Sequence, residues 1–241
     1  MSEQALRLRL VRVRRISGQI EVVTGLRIGS GLPPSIGVVD YPIVRAAESD
    51  EPYIPGSSLK GKMRHLLEWH LGRVRDDGSP WHVNNADDAI TRVFGGPASS
   101  QHATGPTRLL VRDARLAEES RQAMRTGARP VVEIKFENSV NRLTAEASGR
   151  PVERVVPGVR FNFEILYRVF DTGDGGERDE SLLKEAVLTA LALIEQDCLG
   201  GSGSRGYGSV RFVVAQDGQV RPGVLVDGER VELTKIVSGS C

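Results

Sequence analysis

Lys60, Lys62 and Arg64 crowd into the first turns of one predicted helix, in the run Pro55-Gly56-Ser57-Ser58-Leu59-Lys60-Gly61-Lys62-Met63-Arg64. Ser57 or Ser58 can cap such a helix by accepting from its free amides. A helix start already carries positive potential, so cations there are unfavourable unless an anion lies close. Amides, hydroxyls and ammonium groups converging at one helix start make a phosphate site. The alternative is a solvated charged face, the usual fate of helix charges. Gly61 inside the run costs about 1 kcal/mol relative to Ala, which points to something approaching the backbone closely.

A second phosphate candidate is Gly200-Gly201-Ser202-Gly203-Ser204-Arg205-Gly206-Tyr207-Gly208. Glycines such as Gly201, Gly203 and Gly206 let a backbone come close to a phosphate and present successive amides. Arg205 adds a forked donor and Tyr207 a stacking face. The run lacks the Gly-Lys-Ser/Thr ending of a nucleotide-triphosphate loop. Read without function, it is a flexible connection.

Carboxylate chemistry centres on Asp40, just before Tyr41-Pro42, a pair that holds the backbone extended. Taken alone, an aspartate before proline is a turn former. Four histidines (His65, His70, His82 and His102) show no ligand spacing. Two cysteines, Cys198 and Cys241, exclude a disulfide framework and argue against a cysteine zinc site.

The elements that must carry these groups belong to a chain of 241 residues, with 32 basic against 31 acidic side chains. Net charge therefore says nothing about nucleic acid, and any basic surface must be local. There is no hydrophobic signal region and no run near the ~18 apolar residues of a membrane span. A soluble, cytoplasmic protein without a membrane partner is expected.

Alternation over residues 5–24, interrupted by Gly18, predicts a hairpin or a broken strand. Residues 25–56 are predicted as a long functional loop. A helix follows at 57–72, with Leu59, Met63, Leu66, Leu67 and Leu71 on its apolar face. Residues 76–106 read as an insertion with a short helix at Ala86–Phe94, and Arg108–Asp113 as a strand. Residues 114–157 are a polar second insertion with a possible strand at Val131–Phe136. Arg160–Val169 alternates as a strand, Glu180–Leu199 is an amphipathic helix ended by Gly200 and Gly201, and Ser209–Val214 is a last strand. Residues 215–241 form an extension, read as a small hairpin or edge addition. The order strand, helix, strand, strand, helix, strand predicts an α+β fold, the split βαβ arrangement of ferredoxin-like and RNA-recognition domains.

The helix start and the glycine run together resemble the RAMP superfamily of CRISPR RNA-binding proteins. Three further segments narrow the resemblance: Ile36-Gly37-Val38-Val39-Asp40, Val111-Arg112-Asp113-Ala114, and Glu137-Asn138 through Glu153-Arg154-Val155-Val156-Pro157-Gly158. Together they resemble the multi-copy backbone subunit of the type III-A (Csm) effector complex, from about residue 6 to about residue 214.

The resemblance implies a single domain: a modified RNA-recognition core (about 5–24, 57–72, 108–113 and 160–214), a lid-like insertion (76–106) and a thumb hairpin (130–157). Its copies would stack as a filament along a CRISPR guide RNA beside other Csm subunits. The thumb would wedge into the guide–target duplex, with Arg142, Arg150 and Arg154 as backbone contacts. Arg27, Ser57, Ser58, Lys60, Lys62, Arg64 and the glycine run (Gly201, Gly203, Arg205, Gly206, Tyr207) would hold guide phosphates. Arg27 stands where the family often has histidine, and Gly149 where its thumb tends to proline. Asp40 matches the aspartate that the family needs to cut target RNA, with Mg²⁺ or another divalent cation as cofactor; no structural zinc is expected. The implied activity is metal-dependent cutting of complementary single-stranded target RNA at regular intervals, by attack of the adjacent ribose 2′-hydroxyl. Asp113, Glu133 and Glu137 are lesser carboxylate candidates, Asp113 being read as a cap or a pair near the sheet and Glu133 and Glu137 as part of the thumb base. The alternative is a non-catalytic scaffold of the same kind of complex, and processing of precursor guide RNA ranks last.

Overall fold

A computed structural model describes residues 8–31, 41–97 and 104–237. Asp40, with the rest of its Ile36–Asp40 motif, lies outside them, as do His102 and Cys241. In chain order the elements are β1 (Arg9–Val22), α1 (Gly56–His70), α2 (Ala89–Phe94), β2 (Leu109–Val111), β3 (Arg115–Leu116) and α3 (Glu118–Thr126). Then come β4 (Val132–Val140), β5 (Ala147–Val155), β6 (Arg160–Asp171), and a helical run of α4 (Glu177–Leu182), a π-type stretch (Leu183–Leu188) and α5 (Thr189–Gln196). β7 (Val210–Gln216), β8 (Gln219–Pro222), β9 (Val224–Val226), β10 (Glu229–Val231) and α6 (Thr234–Val237) complete the chain.

β1 is one strand, not the hairpin or broken strand that Gly18 predicts. Gly18 lies opposite Phe163 on β6. A Cβ there would come within 3.2 Å of the Phe163 ring and 3.0 Å of the Val213 carbonyl oxygen. The glycine is a packing solution where an aromatic ring lies across a strand. β1 pairs antiparallel with β6 from Arg9↔Asp171 to Glu21↔Arg160, and β7 takes the other edge of its second half. β2 and β3 pair with the outer edge of β6. The pairing order β7–β1–β6–β2, with helical crossovers between, is the split βαβ pattern. The tail is an edge addition: β8 hairpins back on β7, and β9 pairs with Ile16 and Ser17 of β1.

Alternation buries one sheet face: Ile16, Ile20, Phe161, Phe163, Ile165 and Tyr167 join Leu59, Met63, Leu66 and Leu67 of α1 in the core. Burying each of those α1 side chains contributes roughly 1.5–3 kcal/mol, which outweighs the helix's poor interior glycine. The second helical run packs on α1 through α5. It begins at Glu177 and ends at Gln196, short of the predicted Leu199, and Thr189 donates its hydroxyl to the Lys184 carbonyl (3.0 Å) where the turn widens.

A buried ion cluster ties α2 and Arg108 to α4. Asp179 of α4 accepts from Arg92 Nε of α2 (2.6 Å), Arg108 Nε (3.0 Å) and the Phe170 amide (2.8 Å). Three donors on one carboxylate meet the condition under which a buried charge is tolerable. α3 falls in the stretch predicted to be irregular. None of its residues is buried, so no apolar stripe announces it. Glu118 and Glu119 in its first turn and Arg125 in its last suit the helix dipole, and Arg121 binds Glu51 (3.0 Å).

β4 and β5 form a separate two-stranded sheet, in continuous register from Val132↔Val155 to Val140↔Ala147. The second strand has no periodic signal, because only its root is buried, at Val152 and Val155, and Ala147–Arg150 are exposed.

Candidate nucleic-acid interface

At the helix start the structure corrects the sequence. The residue before α1 is Pro55, and neither Ser57 nor Ser58 supplies a side-chain cap. Instead Asp113, from the far side of β2, accepts the Gly56 amide at 2.8 Å. A carboxylate of the chain thus occupies the place read as a phosphate's, and it suits the positive end of the dipole. Lys62 pairs with Asp197 (2.7 Å). Arg64 pairs with Glu68 (2.8 Å) and donates to the Trp81 carbonyl, while Glu68 also accepts the Trp81 amide (2.9 Å). Lys60 reaches the Leu109 carbonyl (3.5 Å); burial, with Arg64 and Arg168 near, pushes its ammonium pKa down. Of the three cations, Lys60 alone has no carboxylate partner among the described residues. Open space surrounds the Cα of Gly61, so no part of this chain explains that glycine.

The glycine run meets the thumb at its base. Ser202 and Gly206 both adopt left-handed backbone around a single turn, Gly203–Arg205. Gly201 donates to the Arg27 carbonyl (2.8 Å) and Gly208 to the Gly25 carbonyl (3.0 Å). A Cβ at Gly208 would overlap the Leu199 carbonyl, so this glycine is required for the close approach. Tyr207, read as a free stacking face, is only 1% exposed. Its hydroxyl donates to Glu137 Oε1 of β4 (2.6 Å), and Lys135 of β4 and Arg154 of β5 lie over its ring at 4.7 and 5.0 Å from the centroid. Arg205 bonds Ser202 (2.7 Å) and lies 3.7 Å from Glu137. Arg154 pairs with Glu133 (2.7 Å), so it serves the thumb base and is not a free backbone contact. Arg27 stacks over Tyr41 at 4.9 Å, and its buried Nε has no partner among the described residues.

Four cations (Arg27, Lys135, Arg154 and Arg205) therefore gather around two carboxylates (Glu133 and Glu137). The bond from Tyr207, with Arg205, Lys135 and Arg27 near, holds the Glu137 carboxyl below the usual carboxylate range. Burial, then the Glu137 contact, pushes the Tyr207 hydroxyl up. The junction keeps a surplus of positive charge.

Beyond the junction the thumb is unpartnered. Arg142 and Arg150 are exposed, and neither has a hydrogen-bond or ion-pair partner among the described residues. They line an open groove of about 670 Å³ with Lys135, Glu137, Asn138 and Arg205. Phe136 and Val140 line the same groove and are exposed, as is Ile134, and Leu143 at the tip is 97% exposed.

The segment that follows Asp40 is fastened to the same hairpin. Tyr41 bridges Val152, and Glu153 accepts from the Ile43 amide (2.9 Å) and Arg45 (2.5 Å). Leu26 bridges Val155 and Gly29 bridges Ile43. The described ends of the predicted 25–56 loop are thus a set of short pairings: Leu26 and Tyr41 against β5, Gly29 with Ile43, Arg45 with Pro52, and Ile54 with Ala114. Glu153 and Lys135 were missed as functional residues. The signal was present as charge alternation: Glu133, Lys135 and Glu137 share one strand face, with Arg154 and Arg150 opposite the two glutamates.

Comparison with known proteins places the chain. The RAMP superfamily pattern matches residues 19–211. The chain is 42% identical, over 83% of its length and 89% of the relative's, to "CRISPR system Cms endoribonuclease Csm3" of Enterococcus italicus. It is 43% identical, over 82% and 85%, to the protein of that name from Mycobacterium tuberculosis. Among solved structures it is similar to a chain of the Csm3–Csm4 subcomplex of the type III-A CRISPR-Cas interference complex (27% identity, 96% of each chain, TM-score 0.56). It is also similar to Methanopyrus kandleri Csm3 (25% identity, 84% and 75% covered, TM-score 0.56). The chain belongs to the RAMP superfamily.

Proposed function

We propose that the chain is a repeated, guide-RNA-binding subunit of a type III-A CRISPR complex that cuts the paired target RNA at regular intervals. The observation that carries this is the thumb, a hairpin whose free arginines and exposed apolar side chains line one groove, with a basic junction at its base. Arg142, Arg150 and the junction cations engage phosphates, which positions RNA without reading its sequence. Base pairing with the guide does the reading. Phe136 and Leu143 meet unstacked bases, whose faces accept apolar and aromatic contacts whatever the sequence. Lys60 and the glycine run contribute further phosphate contacts. Copies of the chain lie side by side along the guide, next to other Csm subunits. Relatives named as endoribonucleases support the activity.

In the proposed reaction the target ribose 2′-hydroxyl attacks the adjacent phosphorus. A new O–P bond forms, the bond to the 5′ oxygen breaks, and that oxygen takes a proton from water, so the products are a 2′,3′-cyclic phosphate and a 5′-hydroxyl. Asp40 takes the hydroxyl proton, and the thumb turns the nucleotide so that the 2′-oxygen lies in line. Among the described residues no three acidic, His or Cys side chains gather as a metal site. Mg²⁺ would be held by Asp40 and by the RNA's own phosphate oxygens, in keeping with its habit of retaining waters and few carboxylates. Its contribution would be to neutralise charge on the phosphate.

The test uses the complex reconstituted on a guide RNA with labelled complementary target, in Mg²⁺ and in chelator. The wild type should cut at evenly spaced positions in Mg²⁺ only, and Asp40→Ala should bind target but cut at least about a hundredfold more slowly. Equal cutting by both, or by neither, would leave the chain a scaffold.

A further inference from the structure

We propose that Tyr207 is a positioning residue, a latch that fixes the angle of the thumb on the glycine run and so sets where the target is cut. This rests on the function proposed above. Three chain segments meet at this junction: the glycine run that carries Tyr207, the thumb strands whose Lys135, Glu137 and Arg154 surround it, and the 25–27 segment behind Arg154 and Gly208. Gly208 donates to the Gly25 carbonyl, and the Arg154 side chain fills the space where a Gly25 side chain would be. At 1% exposure Tyr207 cannot offer a face to a base, and its hydroxyl is already spent on Glu137. Its chemistry is directed at the thumb and not at RNA.

The thumb is a lever. Main-chain pairing of Val155 with Leu26 and of Val156 with Val131 holds its root, and Glu153 holds one side through Ile43 and Arg45. On the glycine-run side Tyr207 is the buried, short hold (2.6 Å to Glu137), beside the exposed and longer Arg205–Glu137 pair (3.7 Å). Val140 lies about 10 Å past Glu137 at the rise of a strand, so a swing of about 10° displaces it by about 2 Å. A misplacement of about 1 Å at a reacting centre can cost about a hundredfold in rate. Glu137, whose carboxylate accepts from Tyr207, is opposite Arg150, one of the free thumb arginines. Loss of the latch therefore releases the part of the hairpin that reaches the target.

The test pairs Tyr207→Phe and Tyr207→Leu with Glu137→Ala, which breaks the latch from the thumb side and leaves the glycine run intact. In the reconstituted complex, Tyr207→Leu and Glu137→Ala should lower single-turnover cutting by about tenfold or more, with cut positions spreading to neighbouring nucleotides. Guide binding should stay within about twofold, since the phosphate contacts remain. Tyr207→Phe keeps the ring under Lys135 and Arg154 and should show a smaller loss of the same kind. In the full chain without RNA, amide exchange over residues 132–137 and 150–155 should quicken in all three variants. Unchanged exchange, unchanged cut positions, or a cutting loss matched by loss of guide binding would overturn the latch. If the wild type cuts no target, the activity fails on its own, and exchange alone judges Tyr207.

Discussion

The start of α1 and the thumb are both basic, but their charges have different fates. At the helix start the fold consumes most of them: Asp113 takes the Gly56 amide, Asp197 takes Lys62, and Glu68 takes Arg64. On the thumb, Arg142 and Arg150 stand in solvent beside Phe136 and Leu143, 70% and 97% exposed. Lys62 and Arg64 meet carboxylates of the chain, whereas Arg142 and Arg150 meet none among the described residues. Burial and pairing distinguish the two regions, and composition does not.

The largest effect that would sharpen this contrast belongs to Gly56. A Cβ at this position would overlap the Val111 carbonyl of β2, so Gly56→Ala must push the helix start off the strand. We expect a loss of about 2–3 kcal/mol of unfolding free energy in denaturant titration, the cost of overpacking a closed site. An unchanged midpoint would mean that the helix start is as adaptable as the thumb.

A smaller effect separates the thumb base by pH. The Glu137 carboxyl is held below its ordinary value by Tyr207 and the nearby cations. Its contribution is therefore complete above the ordinary glutamate range and is lost as pH falls through the lowered value. On acidification below about pH 4.5, amide protection at residues 132–137 should fall before that of β1 and β6. Simultaneous loss would show the thumb base to be no weaker than the core.

The core was legible because its residues obey simple periods. The alternation of Phe161, Phe163, Ile165, Tyr167 and Val169 and the spacing of Leu59, Met63, Leu66 and Leu67 reflect burial on one face, which any window can detect. Gly18 misled because the same residue serves a turn and a close ring contact. α3 and β5 escaped because neither buries a continuous apolar stripe. At the site, Arg142, Arg150 and Arg205 were identified and stand at the groove. Tyr207 was identified with the wrong partner, because the burial of a tyrosine depends on Glu137, Lys135 and Arg154, far away in sequence. The helix-start serines failed as caps because the competing carboxylate comes from residue 113, a pairing that local rules cannot foresee.

The central claim, that the fold has spent Lys62 and Arg64 at the helix start while the thumb keeps Arg142 and Arg150 for RNA, is tested most directly by measuring two quantities on two variants. The quantities are unfolding free energy and the salt dependence of RNA binding; the variants are Arg64→Ala and the double variant Arg142→Ala/Arg150→Ala. Arg64→Ala should lose about 1–2 kcal/mol of stability, because Glu68 is left half-paired, and keep its salt slope. The double variant should keep its stability within about 0.5 kcal/mol and flatten the slope by about 1.4–1.8, the value for two lost phosphate contacts. A flattened slope for Arg64→Ala, or an unchanged one for the double variant, would contradict the claim.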